Sequence, residues 1–443
     1  MERFLLEELR TWSESSHRKP LILRGQRQVG KTWLLKEFGA RFYSNVAYFN
    51  FDENPLLGGI FEGTKDPQRI LEHLSVVHGS PIEPGSTLLI LDEIQESNAA
   101  LNSLKYFCEN APDYHVTCAG SLLGVALSRP ASFPVGKVDF LTLHPMSFSE
   151  FLHANGDEGL LDYLRTITPL SSVPDAIALP LTERLSRYLI IGGMPEAVEL
   201  WSSEHDMRAV LNAQSAILTS YELDFAKHAP PRDIARIGYV WRSIPSQLAR
   251  ENRKFMYQVA RQGARAREYE TSLQWLIETG IVTRVQAVTA PRLPLTAYDD
   301  LSAFKIYSAD TGLLARQSGL EPSSLGDPQA PFTEFKGALT ENFVLQSLLA
   351  QFTEAPRYWR SDGEAEVELL LQRGNDIHPI EVKSGVSVRS KSLSVYRSSF
   401  QPRLSVRLSL KNMELREGLL SVPLYLVDEL DRLIDSALAA PLP

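Results

Sequence analysis

From about residue 15 to 145, short apolar runs alternate with stretches whose apolar residues recur at helical spacing. Lys19 to Leu23 and Val116 to Ser121, the latter ending in Gly-Ser, read as short buried strands, Leu88 to Leu91 as a central parallel strand, and Asn45 to Phe51 and Lys137 to Leu143 as further strands. Helical patterns fall at Trp33 to Phe38, about 66–78 and about 97–109. His144-Pro145 stops the last strand. Strand and helix in alternation predict a doubly wound parallel sheet. Met1 to Arg10 reads as an amphipathic helix.

Beyond Ser147 the pattern is mostly helical to Leu200, interrupted by Pro169, Pro174 and Pro180, as expected of a lid or small helical subdomain. Gly192-Gly193-Met194-Pro195-Glu196 breaks two helices apart. Residues 206–290 form a helical run; Leu273, Leu276 and Ile277 share a face, and Ile281 to Val285 reads as a strand. Helices followed by a short ribbon predict a winged helix-turn-helix. Pro322 to Pro331 has the composition of a linker. After it come a helix at Gly337 to Leu348 and strands at Tyr358 to Ser361, Glu366 to Leu371 and Ile377 to Ser384. The expected domains are therefore 1–205, 206–320 and 332–443.

Composition narrows the class. The 443 residues are 44% hydrophobic and 22% charged, ordinary for a globular protein. The net charge of −9 excludes a polycation, so any nucleic-acid contact must come from local patches. Cys108 and Cys118 are the only cysteines, too few for a disulfide framework or a zinc site, and both read as buried thiols of a reducing, cytoplasmic compartment. There is no signal-peptide pattern and no apolar run long enough for a membrane span.

The chemistry is concentrated in Gly25-Gln26-Arg27-Gln28-Val29-Gly30-Lys31-Thr32, followed by Trp33. It is a complete Walker A loop between a predicted strand and a predicted helix. Glycines let backbone N–H groups reach phosphates, and the helix N-terminus favours their charge. Lys31 is expected on the β- and γ-phosphates of ATP and Thr32 on Mg²⁺. In Leu88-Leu89-Ile90-Leu91-Asp92-Glu93, Asp92 is expected in the Mg²⁺ shell and Glu93 beside the attacking water, so the catalytic candidates are Glu93 and Lys31. Ser121, after a third strand, is either a further water-positioning residue or a plain turn serine.

A second constellation lies near the C-terminus. Glu381 and Lys383 are two apart on one strand and share a face. With Glu341 on a helix and Glu368 on the preceding strand they form the pattern of a restriction-nuclease PD-(D/E)XK core. Glu368 and Glu381 are candidate Mg²⁺ ligands, Glu341 a supporting acid, and Lys383 a group that orients water. Residues 383–411 hold seven Lys or Arg and no acid, which suits a phosphate backbone alongside. His378, beside a proline, reads as structural. Residues 231–290 hold ten Lys or Arg and five Asp or Glu; Arg261, Arg265 and Arg267 cluster before the last long helix, facing either DNA or a protein partner.

Taken together the chain resembles a bacterial and archaeal family of AAA+-type ATPases with a winged helix and a C-terminal domain of unknown function with a restriction-nuclease-like fold. The residues that carry the resemblance are Leu23 to Thr32, Leu91 to Gln95, Gly120-Ser121, Leu143 to Phe151, Gly192 to Glu196, Ala309 to Leu313, and Tyr358 to Ser361 with Glu366 to Glu368 and Pro379 to Lys383. The resemblance implies ATP hydrolysis with Mg²⁺, a DNA partner of duplex or branched form, and assembly into a homo-oligomer. Two positions depart from the family: Glu368 stands where Asp is usual, and Lys137 stands where Arg is usual. Lysine lacks the guanidinium fork, which leaves Arg129 and Arg187 as candidate arginine fingers. The expected function is a Mg²⁺-dependent ATPase that remodels DNA. The alternatives are an ATP-controlled nuclease and an ATP-dependent switch that binds a protein.

Overall fold

Leu21–Arg24 (β1), Asn45–Asn50 (β2), Thr87–Asp92 (β3), His115–Ala119 (β4) and Asp139–Thr142 (β5) form a five-stranded sheet in the order β2-β3-β4-β1-β5. Every pairing in it is parallel. Alternation along the strands sends side chains to two cores. Leu21, Leu23, Leu88 and Ile90 pack with Leu9 and Trp12 of helix α1 (Leu5–Glu14) and with Leu34 and Phe38 of α2 (Lys31–Phe42). Ile22, Leu89, Leu91 and Cys118 pack on the other face against α3 (Gly58–Gly63), α4 (Pro67–His78) and α5 (Asn98–Asn110). The doubly wound parallel sheet expected from the pattern is present, and it has the architecture of a P-loop NTPase.

The computed structural model describes residues 1–120, 135–250, 254–321, 333–361, 363–386 and 391–439. Packing divides the chain into two units: residues 2–144 with 278–280, and residues 145–277 with 281–443. Ser121 and Arg129 lie outside the described residues.

The second unit begins with α6 (Phe148–Ala154), α7 (Glu158–Thr166), α8 (Asp175–Ile191) and α9 (Pro195–Glu204). Pro180, expected to interrupt a helix, lies inside α8, where Leu181, Leu185 and Tyr188 are buried. Burial of that face outweighs the hydrogen bond the proline removes. The helices expected as a lid or small helical subdomain hydrogen-bond to C-terminal residues. Asn412 Nδ2 donates to the Val173 carbonyl at 2.7 Å, and Ser149 N donates to Asp428 Oδ2 at 2.8 Å.

Next come α10 (Met207–His228), α11 (Ile234–Leu248), the short α12 (Tyr257–Ala260) and α13 (Ala266–Glu278). A ribbon of β6 (Val282–Val288) and β7 (Asp299–Ser308) follows, then α14 (Thr311–Gln317) and α15 (Thr333–Gln351). The ribbon is not free-standing. Ala287 and Val288 pair in parallel with Tyr358 and Trp359 of β8 (Arg357–Arg360). Through that pairing it extends the sheet of β9 (Glu366–Arg373), β10 (Asp376–Val382), β11 (Ser405–Ser409), β12 (Glu414–Arg416) and β13 (Leu419–Pro423). The order is β12-β13-β11-β10-β9-β8-β6-β7, with α16 (Lys391–Phe400) and α17 (Leu430–Ala439) completing the described elements.

Three sequence signatures meet in this unit. Met146 N donates to the Gly193 carbonyl at 2.7 Å, and Gly193 N donates to Asp310 Oδ2 at 2.6 Å. Tyr188 OH donates to the Met146 carbonyl at 2.5 Å and receives Gln346 Nε2 at 2.9 Å. A Cβ on Gly192, whose φ is +73°, would fall 2.3 Å from Asp310 Oδ1, and one on Gly193 would fall 2.1 Å from the Met146 carbonyl. The Gly-Gly pair is thus dictated by close approach of three chain segments.

Candidate functional site

The loop between β1 and α2 adopts conformations its sequence was suited to. Gly25 has φ +144°, and a Cβ there would sit 2.4 Å from the Leu143 carbonyl. Gly30, at φ 94°, caps α2, so Lys31 begins the helix and Leu34 N donates to the Gly30 carbonyl. Lys31 is buried, and its Nζ donates to the carbonyls of Gly25 and Gln26 at 2.8 Å each. Burial pushes the ammonium down to about 8 against the pull of Glu93 and Asp92, with Arg27 adding to the lowering. Gln26 and Val29 are buried, Arg27 and Gln28 are exposed, and Gln28 also takes positive φ, 64°. Trp33, on the first turn of α2, is 42% exposed.

Asp92 closes β3 in register with the helix start. Its Oδ2 accepts from Thr32 Oγ1 at 2.7 Å and from Tyr48 OH at 2.9 Å. Its Oδ1 accepts from the Glu93 backbone N–H at 3.1 Å. Glu93 takes a left-handed conformation, φ 48° and ψ 43°, which turns its side chain out of the strand line. Gln95 Nε2 donates to Glu93 Oε2 at 2.5 Å. The adjoining hydroxyl of Thr32 and carboxylate of Asp92 are hard oxygen donors of the kind Mg²⁺ takes when phosphates and water supply the rest of its shell. These residues fit that ion, which would screen phosphate charge when bound.

Three residues here escaped the sequence reading. Arg3 is 4% exposed; its Nη1 donates to the Val29 carbonyl at 2.9 Å and its Nη2 to the His144 carbonyl at 2.6 Å. Burial, with Arg3 beside it, pushes His144 down to about 4, so its ring is neutral. Tyr48 fixes Asp92, and burial raises its phenol above the ordinary value. Gln95 grips Glu93. A polar residue on a mostly apolar strand is the signal that points to Tyr48, whereas Arg3, on an amphipathic segment, reads as solvated. Nothing local marks Gln95.

In the second unit the four C-terminal candidates each take charged partners. Lys383 Nζ lies 3.1 Å from Glu368 Oε1 and 3.7 Å from Glu381 Oε1, and Arg407 Nε lies 2.8 Å from Glu381 Oε2. Burial works against the charge on Lys383, but Glu368 and Glu381 hold its ammonium above the ordinary value. Glu341 faces Lys305, whose Nζ is 3.3 Å away and also binds Glu366 at 2.6 Å, and it accepts from Tyr307 OH. Among the described residues no group of three or more His, Cys, Asp or Glu is placed to hold a metal. His378 is buried, with Nδ1 at 3.2 Å from the Leu404 carbonyl, as a structural residue would be.

Arg261, Arg265 and Arg267 are exposed around the start of α13. Arg261 lies over the Tyr239 ring at 5.2 Å. Lys137 pairs with Glu109 at 2.9 Å, and Arg187 pairs with Glu183 at 2.5 Å.

Residues 17–152 match the model of a family described as an AAA domain. Residues 182–324 and 336–427 match two domains of unknown function, DUF8612 and DUF4143. No curated protein matches the chain. Among solved structures, the chain is similar to the Walker-type ATPase paby2304 of Pyrococcus abyssi, at 15% identity and a TM-score of 0.44, covering 70% of this chain and 94% of that one. The Aeropyrum pernix ORC1 protein, solved in complex with DNA, gives 16% and 0.32 over 72% of this chain and 93% of that one. The Thermotoga maritima RuvB Holliday junction branch migration motor gives 16% and 0.26 over 63% and 88%. The Walker loop at the head of α2, the acids closing β3 and the family match over 17–152 lead to one conclusion: the protein is an ATP hydrolase with an AAA-type P-loop domain.

Proposed function

We propose that the protein is a Mg²⁺-dependent ATPase that acts on DNA. Residues 1–205 supply the ATP chemistry, 206–320 act as a winged helix on DNA, and 332–443, of nuclease-like descent, complete the DNA-facing part. Backbone N–H groups of Gly25 to Thr32 hold the phosphates, with Trp33 bordering them, and Lys31 neutralises the β- and γ-phosphates. Thr32 and Asp92 hold Mg²⁺, and Glu93 accepts a proton from the attacking water. Ser121 assists there. The protein works in the cytoplasm as a homo-oligomer.

The observation that carries the DNA reading is the exposed trio Arg261, Arg265 and Arg267 at the head of α13, outside any ion pair found among the described residues. Helices α11, α12 and α13 followed by a ribbon are in winged-helix order, and in helix-turn-helix modules the last helix enters the groove. Replacing all three arginines by alanine is expected to weaken DNA binding. It should also flatten the salt dependence by about one unit of slope per arginine. Unchanged binding and slope would remove DNA from the reading and leave a switch that binds a protein.

A second reading, an ATP-controlled nuclease, draws on the meeting of Glu368, Glu381 and Lys383. The pairing of Arg407 with Glu381 weighs against it, because a metal there would face a fixed positive charge. Incubating plasmid with Mg²⁺ or Mn²⁺ decides the matter. Cleavage above a Lys383→Ala control supports this reading, and cleavage equal to that control ends it.

A further inference from the structure

Glu93 is the group on which hydrolysis depends in the reading above, yet a carboxylate on a flexible arm polarises water only if it is aimed. The backbone on both sides of it is fixed. Its N–H is bonded to Asp92 Oδ1 at 3.1 Å. Its carbonyl accepts from Glu96 N at 3.0 Å, inside the single 3-10 turn Ile94–Glu96. That turn sets the Cα of Gln95 at a constant place relative to Glu93.

The Gln95 amide then uses its Nε2 on Glu93 Oε2, at 2.5 Å, a bond strengthened by the carboxylate charge. The other end, Oε1, is buried with no hydrogen-bond partner among the described residues. A buried acceptor left unpaired is destabilising. Turning the amide over would not relieve this, because it would set a carbonyl oxygen against the carboxylate. An apolar residue of similar shape would fill the same space without that cost. Glutamine here therefore serves Glu93 rather than packing.

We propose that Gln95 is a positioning residue for hydrolysis: its amide nitrogen aims the Glu93 carboxylate at the attacking water. The water gives one hydrogen to the Glu93 carboxylate as its oxygen attacks the γ-phosphorus. ADP leaves with the electron pair of the broken P–O bond.

The proposal rests on the reading of Glu93 and is tested beside it. Gln95→Ala is expected to lower kcat about ten- to a hundredfold while the KM for ATP stays within about twofold, since nothing that binds nucleotide is removed. Gln95→Glu keeps the shape and puts a second carboxylate beside Glu93. It cannot donate to Glu93 and repels it, so kcat should fall at least as far as in Gln95→Ala. Glu93→Gln is the control and should fall to the level of Lys31→Ala. If Glu93→Gln is inactive while both Gln95 variants keep the wild-type kcat, the positioning role is wrong and the Glu93 reading stands. If Glu93→Gln turns over at full rate, both are wrong. Equal loss of kcat and rise of KM in Gln95→Ala would mean a structural role only and overturn the positioning role.

Discussion

Arg3 reaches the Walker loop from the opposite end of the motif's own sequence, donating Nη1 to the Val29 carbonyl at 2.9 Å. Its second nitrogen holds the His144 carbonyl at 2.6 Å, so one buried guanidinium ties the phosphate loop to the chain leaving β5. Hydrogen bonds from a charged donor are worth about 1.5–3 kcal/mol each. Arg3→Ala should therefore raise the KM for ATP by about tenfold or more, because a looser loop must be ordered on binding. Arg3→Lys reaches only one carbonyl and should recover part of the loss. An unchanged KM in Arg3→Ala would show that the loop keeps its form without this tie.

Lys31 should make nucleotide binding depend on pH. Burial lowers it to about 8 despite Glu93 and Asp92. A triphosphate adds negative charge beside it and raises it again. Above about pH 8 the free protein has lost part of that proton and must take it back on binding. Calorimetry at pH 8.5 in two buffers of different ionisation enthalpy should register proton uptake, and ATP affinity should fall as pH rises further. Lys31→Ala should register none.

Asp310 makes stability depend on pH in the opposite direction from most carboxylates. It is fully buried at the start of α14, and burial raises it to about 6 although the N–H groups of Gly193, Leu313 and Gly312 partly oppose the rise. Its folded pKa lies above the unfolded value, so its contribution is fully present below about pH 3.8 and is lost as pH rises through about 6. Chemical denaturation between pH 4 and 7 should show this fall, on the order of 2–3 kcal/mol, against the slope from other groups. Asp310→Asn, which cannot titrate, should lose that component. Identical slopes in the two proteins would contradict the assignment.

The C-terminal ion pairs should differ in weight. Glu381 is nearly inaccessible and Arg407 is 13% exposed, so Arg407→Ala leaves a buried charge with only Lys383 at 3.7 Å. The expected loss is about 3 kcal/mol or more. Lys383 is 31% exposed, and Lys383→Ala should cost about 1 kcal/mol, measured as the shift in denaturation midpoint. A larger loss for Lys383 would mean that Glu381 depends on it rather than on Arg407.

How far the sequence could be read followed how local the physics was. The Walker loop was legible because its spacing is fixed by one turn and one helix start, and Gly25 and Gly30 adopt the positive φ that the motif implies. The parallel sheet was legible from apolar runs such as Leu88 to Leu91, all fully buried. Pairing of Ala287 and Val288 with Tyr358 and Trp359 was not, because a strand edge carries no mark of its distant partner. That pairing makes the ribbon expected of a separate winged helix part of one sheet with the C-terminal strands. Arg3 was missed because a charge on an amphipathic segment reads as solvated until the fold buries it. The partner of Glu341 was not legible either: Lys305, a strand residue with nothing to single it out, lies 3.3 Å from it.

The measurement that bears most directly on the central claim is steady-state ATP turnover with Mg²⁺, without DNA, with linear duplex and with a branched junction, using Lys31→Ala as the blank. Turnover is expected to vanish in Lys31→Ala and to rise with at least one DNA form. Turnover unchanged in Lys31→Ala would contradict the assignment of the site. Wild-type turnover that ignores every DNA form would contradict the proposed action on DNA.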